Sequence, residues 1–223
     1  MLVIVCLCLS ADRSIAVWRC ESEISQARLR GRDGRNACTL IAIVLGRMFC
    51  RNESQLSVLF QKGANPLKTS WFHALANAIV DGNTIYDQYI SLKSPCYLDV
   101  ETACSLAKSE LKVARISEPL PVWFDSDFED APLATIEYQL FLFSLNKGKK
   151  SIILTFSEKS MVILSEGTGK LLLIVTHHDI LSNCGSKIVI GNVQQISQYL
   201  KPMDCNFPAK QRYGVLTPIE FLP

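Results

Sequence analysis

The chain has 223 residues, enough to bury a hydrophobic core without disulfide or metal support. Apolar residues make up 48% and charged residues 20% of the sequence, an ordinary globular composition that excludes a disordered or collagen-like chain. The net charge of +2 is spread along the chain, and no apolar run reaches the roughly 18 residues of a membrane span, so we expect neither nucleic-acid nor membrane partners.

The first element along the chain is a short apolar segment, residues 1–11, which is similar to the hydrophobic part of a signal peptide. It has no basic residues before a rather short apolar run, and this favours a hydrophobic N-terminal strand or arm. We therefore divide the chain into an arm, or weakly signal-like segment, over residues 1–19 and one folded domain over residues 20–223.

The middle of the chain has the pattern of a helical layer. A polar turn with two glycines, residues 30–36, leads into residues 37–49, which are apolar almost all round and predict a buried central helix. Asn36 can cap this helix, and Cys38 lies in its first turn. Further helices are predicted at residues 71–80, at 83–90 after an Asp-Gly turn, at 100–111 after an Asp99 cap, and at 133–145.

The C-terminal third changes to strand-like sequence. Gly-containing turns separate short β-rich runs, a small helix follows at residues 194–200, and a proline-containing tail ends the sequence. Helices followed by an antiparallel meander predict a single α+β domain of two layers. The four predicted strands are residues 151–157, 161–165, 170–176 and 187–191.

Cysteines are frequent, at positions 6, 8, 20, 38, 50, 96, 104, 184 and 205. Their number is odd, no C-x-x-C pair occurs, and only three histidines accompany them, so the pattern fits neither a zinc module nor a disulfide framework. We expect no metal and no organic cofactor. We interpret most of these cysteines as reduced thiols of a cytoplasmic protein, although the signal-like first residues leave secretion open.

Cys38 differs from the other cysteines in its place at the start of a helix. Unpaired N–H groups and the helix dipole favour the thiolate there, which is the nucleophilic form of cysteine. The same N–H groups can bind the oxyanion that forms when a thiolate attacks a carbonyl. The alternative is that Cys38 is one more buried thiol.

A thiol nucleophile needs a base that also protonates the leaving amine, and imidazole is the usual choice. His177 and His178 follow an apolar strand, whose end can project into a cleft against a helix N-terminus. Adjacent strand residues face opposite ways, so only one of the two can serve. His73 lies in a helical pattern, and we interpret it as a packing residue.

This arrangement resembles that of the papain-like cysteine deubiquitinases related to the herpesvirus large tegument protein. The resemblance rests on the turn-then-helix phrase GRNACTLIA at residues 34–42 and on the later order of strand, histidine, loop, strand and short helix. It implies a papain-like cysteine peptidase fold, with Cys38 as nucleophile and His177 as base. A glutamine precedes the nucleophile by about a dozen residues in that group; Gln26 matches it, and the resemblance implies that it stabilises the oxyanion.

The sequence departs from the Asp-x-His motif of that group. Val175 stands two residues before His177, and Thr176 stands two before His178, so the usual orienting carboxylate is missing. Asp179, or more weakly the Thr176 hydroxyl, can take over that role.

Three functions follow from the resemblance and from this departure. The first is a cysteine peptidase that hydrolyses ubiquitin or ubiquitin-like conjugates, in which Cys38 attacks the carbonyl after the terminal glycine of the modifier. The second, motivated by Val175, is a catalytically impaired module of the same fold that binds ubiquitin. The third is a papain-like amidase or deamidase.

Overall fold

The computed structural model describes residues 5–9, 15–32, 36–51, 69–90, 95–124, 132–179, 183–205 and 213–222. Much of the signal-like segment and the centre of the predicted polar turn, residues 33–35, lie outside these ranges. The domain boundary predicted between residues 19 and 20 falls within a strand, Ala16–Cys20.

The described strands form one antiparallel sheet. Their order is β1-β2-β8-β7-β6-β5-β9-β3, and β4 also pairs with β9. The four predicted strands are β5 to β8, which are consecutive neighbours and form the predicted meander. The strands are β1 (Val5–Leu9), β2 (Ala16–Cys20), β3 (Val113–Ile116), β4 (Leu120–Trp123), β5 (Lys150–Phe156), β6 (Lys159–Ser165), β7 (Lys170–Val175), β8 (Lys187–Asn192) and β9 (Tyr213–Phe221).

Six α-helices accompany the sheet in the described part of the chain, and none of these is long and apolar enough to cross a membrane. Asp99 caps α3 as predicted, because its carboxylate accepts a hydrogen bond from the Thr102 N–H at 2.7 Å. The helices are α1 (Cys38–Arg51), α2 (Thr69–Ile90), α3 (Val100–Leu106), α4 (Lys108–Leu111), α5 (Ile136–Leu145) and α6 (Val193–Cys205).

The helices cover both faces of the sheet, so the domain has three layers where the sequence predicted two. Along β6, Val162 and Leu164 point into a core shared with α1 to α4, whereas Ile163 points into a second core under α5 and α6. Burial on both faces explains why β6 and β7 are apolar without alternation. Helix α1 lies in the first core, and its residues from Cys38 to Gly46 are all buried.

Two sequence predictions about element boundaries are wrong. The Asp-Gly turn predicted near residue 82 does not exist, because α2 continues through Gly82 and packs against α1 there. A Cβ at Gly82 would lie 2.8 Å from the Ile41 backbone, so glycine permits the close approach of the two helices. The predicted C-terminal tail contains strand β9, which pairs with β3, β4 and β5.

Candidate active site

Cys38 is the first residue of α1 and is buried, with 2% of its surface exposed. Burial raises the pKa of its thiol, and hydrogen bonding by Ser160 and Thr39 opposes this rise only in part. The sequence predicted that the helix N-terminus would favour a thiolate. In the structure desolvation by burial has the largest effect on the pKa of Cys38, and it favours the neutral thiol.

Ser160, the second residue of β6, connects Cys38 to the sheet. Its backbone and its hydroxyl both interact with the Cys38 thiol. The Ser160 Oγ lies 2.9 Å from Oγ1 of Thr39, which in turn donates a hydrogen bond to the Leu98 carbonyl at 2.7 Å. These buried hydroxyl contacts fix the first turn of α1 against β6.

His177 follows β7, and its ring is directed toward the same residue of β6. Its Nε2 atom is buried and has no hydrogen-bond partner among the described residues. Burial, together with the positive charge of Lys159, lowers the pKa of His177 to about 4, and the backbone of Ser160 opposes this shift. Cys38 and His177, 139 positions apart in the sequence, therefore both interact with the backbone of Ser160.

Gln26 completes the cluster from the loop that follows β2. Its side chain is hydrogen-bonded to the imidazole, with 3.0 Å between Nε2 of Gln26 and Nδ1 of His177. The Gln26 backbone is held on both sides. Its N–H donates to the Thr176 carbonyl at 3.0 Å, and its carbonyl accepts from Nδ2 of Asn83 at 3.2 Å. All three predicted site residues thus belong to one cluster, in which Cys38 and Gln26 are buried and His177 is partly exposed.

The neighbours of His177 take other positions. His178 lies near the carboxylate of Glu23, as expected if adjacent side chains diverge. Asp179 forms an ion pair with Lys187 and a backbone bridge with Cys184. The group that the structure places on Nδ1 of His177 is therefore the Gln26 amide, where the sequence suggested Asp179 or Thr176.

Sequence reasoning missed three members of the cluster. Thr39 and Asn83 are buried polar residues on α1 and α2, and only their burial, which the sequence pattern did not reveal, marks them. Ser160 contributes chiefly through its backbone, for which no residue type is diagnostic. His73 was expected to pack against other residues but is exposed on α2.

The described residues contain no group of three histidine, cysteine or acidic side chains that could hold a metal ion. The cluster around Cys38 consists instead of a thiol, an imidazole, two amides and two hydroxyls. Such a set is able to perform nucleophilic chemistry with proton transfer.

No protein family and no curated protein matches the sequence. Among solved structures, this fold is similar to the ubiquitin-specific protease encoded by murine cytomegalovirus tegument protein M48, which was crystallised with a ubiquitin-based suicide substrate. The superposition has a TM-score of 0.59 and covers 92% of this chain and 87% of the viral chain, and the two sequences are 12% identical. The two chains share a fold. The predicted α+β class is thereby confirmed, and the fold is similar to that of a viral ubiquitin-specific protease.

Proposed function

We propose that this protein is a thiol-dependent hydrolase of ubiquitin or ubiquitin-like conjugates. The observation that carries the proposal is the convergence of Cys38 and His177 on Ser160, with Gln26 bonded to the imidazole. The fold shared with a ubiquitin-specific protease supports the choice of substrate. A fold alone does not determine a substrate. The site therefore supports the thiol chemistry of the proposal, and the fold supports ubiquitin as the substrate.

The pKa directions favour general-base catalysis over a preformed ion pair. The thiol pKa of Cys38 is raised and the imidazole pKa of His177 is lowered to about 4, so both groups are neutral at pH 7. His177 takes the thiol proton as the sulfur attacks the carbonyl carbon after the terminal glycine of the modifier. The imidazolium then protonates the leaving amine, and water hydrolyses the resulting thioester.

The hydrogen bond between Gln26 and His177 determines which imidazole nitrogen moves the proton in the proposed reaction. Nδ1 is occupied by the amide, so in the proposed reaction Nε2, which has no hydrogen-bond partner among the described residues, exchanges a proton with Cys38. To accept the thiol proton at Nε2, the neutral imidazole must carry its own hydrogen on Nδ1. The Gln26 amide can accept that hydrogen through Oε1 after a 180° rotation, which leaves its heavy atoms in place.

The same rotation bears on the oxyanion. It exchanges the two ends of the Gln26 amide, so that the amide N–H groups are directed away from Nδ1. In the proposed reaction one of these N–H groups and the backbone N–H of Cys38 donate to the oxyanion. Such donors stabilise the charge that develops in the transition state.

An electrophilic ubiquitin probe tests this proposal. We expect a covalent adduct on Cys38, located by peptide mass spectrometry, that is absent in Cys38→Ala and strongly reduced in His177→Gln. Cys96→Ser is the matched control, because Cys96 is an exposed thiol outside the cluster. A folded protein that forms no adduct, or forms it equally well without Cys38, would contradict the proposal.

The second candidate is a ubiquitin-binding module without chemistry. It is favoured by the neutral resting thiol and by the amide that occupies Nδ1 of His177. This candidate predicts ubiquitin binding, measured by calorimetry, that is equal in the wild type and Cys38→Ala, with no single-turnover cleavage in either. The amidase or deamidase alternative predicts conversion of glutamine-containing peptides, which mass spectrometry of the peptide products would detect.

A further inference from the structure

Two cysteines outside the proposed catalytic pair lie side by side at the end of β2. Cys20 is the last residue of β2 and is buried, whereas Cys184, in the loop before β8, is partly exposed. Both are reduced thiols. The Gly185 N–H donates to the Cys20 carbonyl at 3.0 Å, and the Cys20 N–H donates to the Ser186 carbonyl at 2.9 Å.

The two thiols are close enough to interact electrostatically. Burial raises the pKa of Cys20 to about 12, and the neighbouring Cys184 thiol adds to this rise. Gly185 permits the close approach, because a Cβ there would lie 2.0 Å from the Glu21 carbonyl oxygen. The Cys20 backbone is thus bonded to the two residues that follow Cys184, and a disulfide requires Cα atoms about 4.4–6.8 Å apart.

Each cysteine belongs to a segment that carries a residue of the candidate site. Gln26 follows Cys20 in the chain, and His177 precedes Cys184. The same two segments are joined by hydrogen bonds from the Gln26 N–H to the Thr176 carbonyl and from the Ser186 N–H to the Ile24 carbonyl. A covalent bond at this junction would therefore restrict the motion of Gln26 relative to His177.

We propose that Cys20 and Cys184 form a reversible disulfide, with a small disulfide such as glutathione disulfide as oxidant, that links the segments presenting Gln26 and His177. The modification does not depend on the proposed hydrolase function. It assigns a chemical role to two thiols that the reaction at Cys38 leaves unused.

The exchange proceeds in two steps. The accessible Cys184 loses its proton and attacks one sulfur of glutathione disulfide, which forms a mixed disulfide and releases one glutathione thiolate. Cys20 then loses its proton and attacks the Cys184 sulfur, which releases the second glutathione. Two protein thiols are oxidised to one disulfide, one glutathione disulfide is reduced to two thiols, and the two protons pass to the released glutathione.

Incubation of the reduced, folded protein with glutathione disulfide tests the proposal. We expect a mass loss of about 2 Da, the two hydrogen atoms lost on disulfide formation, and a cross-linked peptide pair containing residues 20 and 184. The second step should accelerate with pH, since Cys20 must ionise. Oxidation should also slow hydrogen exchange at the Gln26 amide by about tenfold, because the link opposes local opening.

Cys184→Ser and Cys96→Ser are the paired variants, since both replace a thiol that is not fully buried. Cys184→Ser should abolish the mass loss and the slowed exchange, whereas Cys96→Ser should leave both unchanged. Glutathione adducts without an internal link, a link between other cysteines, or unchanged exchange at Gln26 in the linked protein would each overturn the proposal.

Discussion

The side-chain amide of Gln26 is hydrogen-bonded to the imidazole of His177, with 3.0 Å between Nε2 and Nδ1. In Cys-His peptidases a carboxylate or amide on the imidazole fixes its tautomer and orientation. Here Val175 stands where the Asp-x-His motif has its carboxylate, and the Gln26 amide holds the ring instead. An amide adds no negative charge, so nothing in this bond offsets the desolvation that lowers the pKa of His177.

Replacement of Gln26 by glutamate should supply the negative charge that the amide lacks. A carboxylate at this position stabilises the imidazolium, and we expect the pKa of His177 to rise from about 4 by at least about one unit. Titration of the His177 ring signals by nuclear magnetic resonance measures the change, with His177→Gln to assign them. Gln26→Leu, which removes the hydrogen bond without adding charge, should produce no such rise; an unchanged pKa in Gln26→Glu would contradict the contact.

Folding stability should depend on pH through His177. The unfolded chain binds a proton at this residue below pH 6.5, whereas the folded protein binds it only near pH 4. Stability is therefore complete above pH 6.5 and falls as the pH drops from 6.5 to about 4. Allowing for the partial exposure of the residue, we expect a loss of about 2 kcal/mol.

Urea unfolding between pH 4 and pH 7 measures this loss. The dependence should be weaker in His177→Gln, whose side chain does not titrate. His73→Gln is the control, because His73 is exposed on α2 and lies outside the cluster. If the unfolding free energy depended on pH equally in the wild type and in His177→Gln, the lowered pKa of His177 would be contradicted.

Alkylation should distinguish a neutral Cys38 thiol from a thiolate. Because burial raises the pKa of Cys38, its rate of reaction with iodoacetamide should still increase above pH 9. At pH 7.5 the exposed Cys96 should react first. Peptide mass spectrometry over a time course follows each site separately, and a Cys38 rate that levels off below pH 7 would instead indicate a thiolate–imidazolium pair.

Asn83 should act as a positioning residue for Gln26. Its Nδ2 donates to the Gln26 carbonyl, so Asn83→Ala removes one of the two backbone restraints on that loop. We expect a loss of about 1–2 kcal/mol in unfolding free energy and about tenfold slower reaction with the ubiquitin probe. Thr84→Ala, at the exposed neighbouring position of α2, is the control and should retain the wild-type probe rate. Unchanged probe kinetics in Asn83→Ala would exclude the positioning role.

The contact between α1 and α2 should not tolerate a side chain at Gly82. Gly82→Ala places a methyl group against the backbone of Ile41, and we expect a destabilisation of about 1–3 kcal/mol despite the better helix propensity of alanine. Urea unfolding measures it, with Asn77→Ala on the exposed face of α2 as control. A more stable Gly82→Ala variant would mean that the helices lie farther apart.

Strong local patterns account for what the sequence predicted correctly. The apolar run after Cys38 and the four β-rich runs of the meander are buried along their length, so hydrophobicity alone identified them. The C-terminal strand β9 was not predicted, because Gly214 and Pro218 interrupt its pattern of β-favouring residues. Its place in the sheet depends on pairing with β5, a contact between residues distant in the sequence.

In the candidate site, too, the features with a local sequence signal were predicted and those that depend on distant contacts were not. Cys38, His177 and Gln26 were predicted from the start of a helix, the end of a strand and the spacing of the family resemblance. The pKa of Cys38 was predicted in the wrong direction, because the degree of burial depends on how β6 packs against α1. The hydrogen bond between Gln26 and His177 joins two loops, and local sequence carries no information about such a contact.

The position of β9 between β5 and β3 also bears on how the protein folds during translation. Strand β9 lies between β5 and β3 and pairs with β4 as well, so the sheet is incomplete until residues 213–221 have been synthesised. Until then β5 has an open edge, to which another chain can add a strand. We therefore expect slow folding, and aggregation of nascent chains that stall before residue 213.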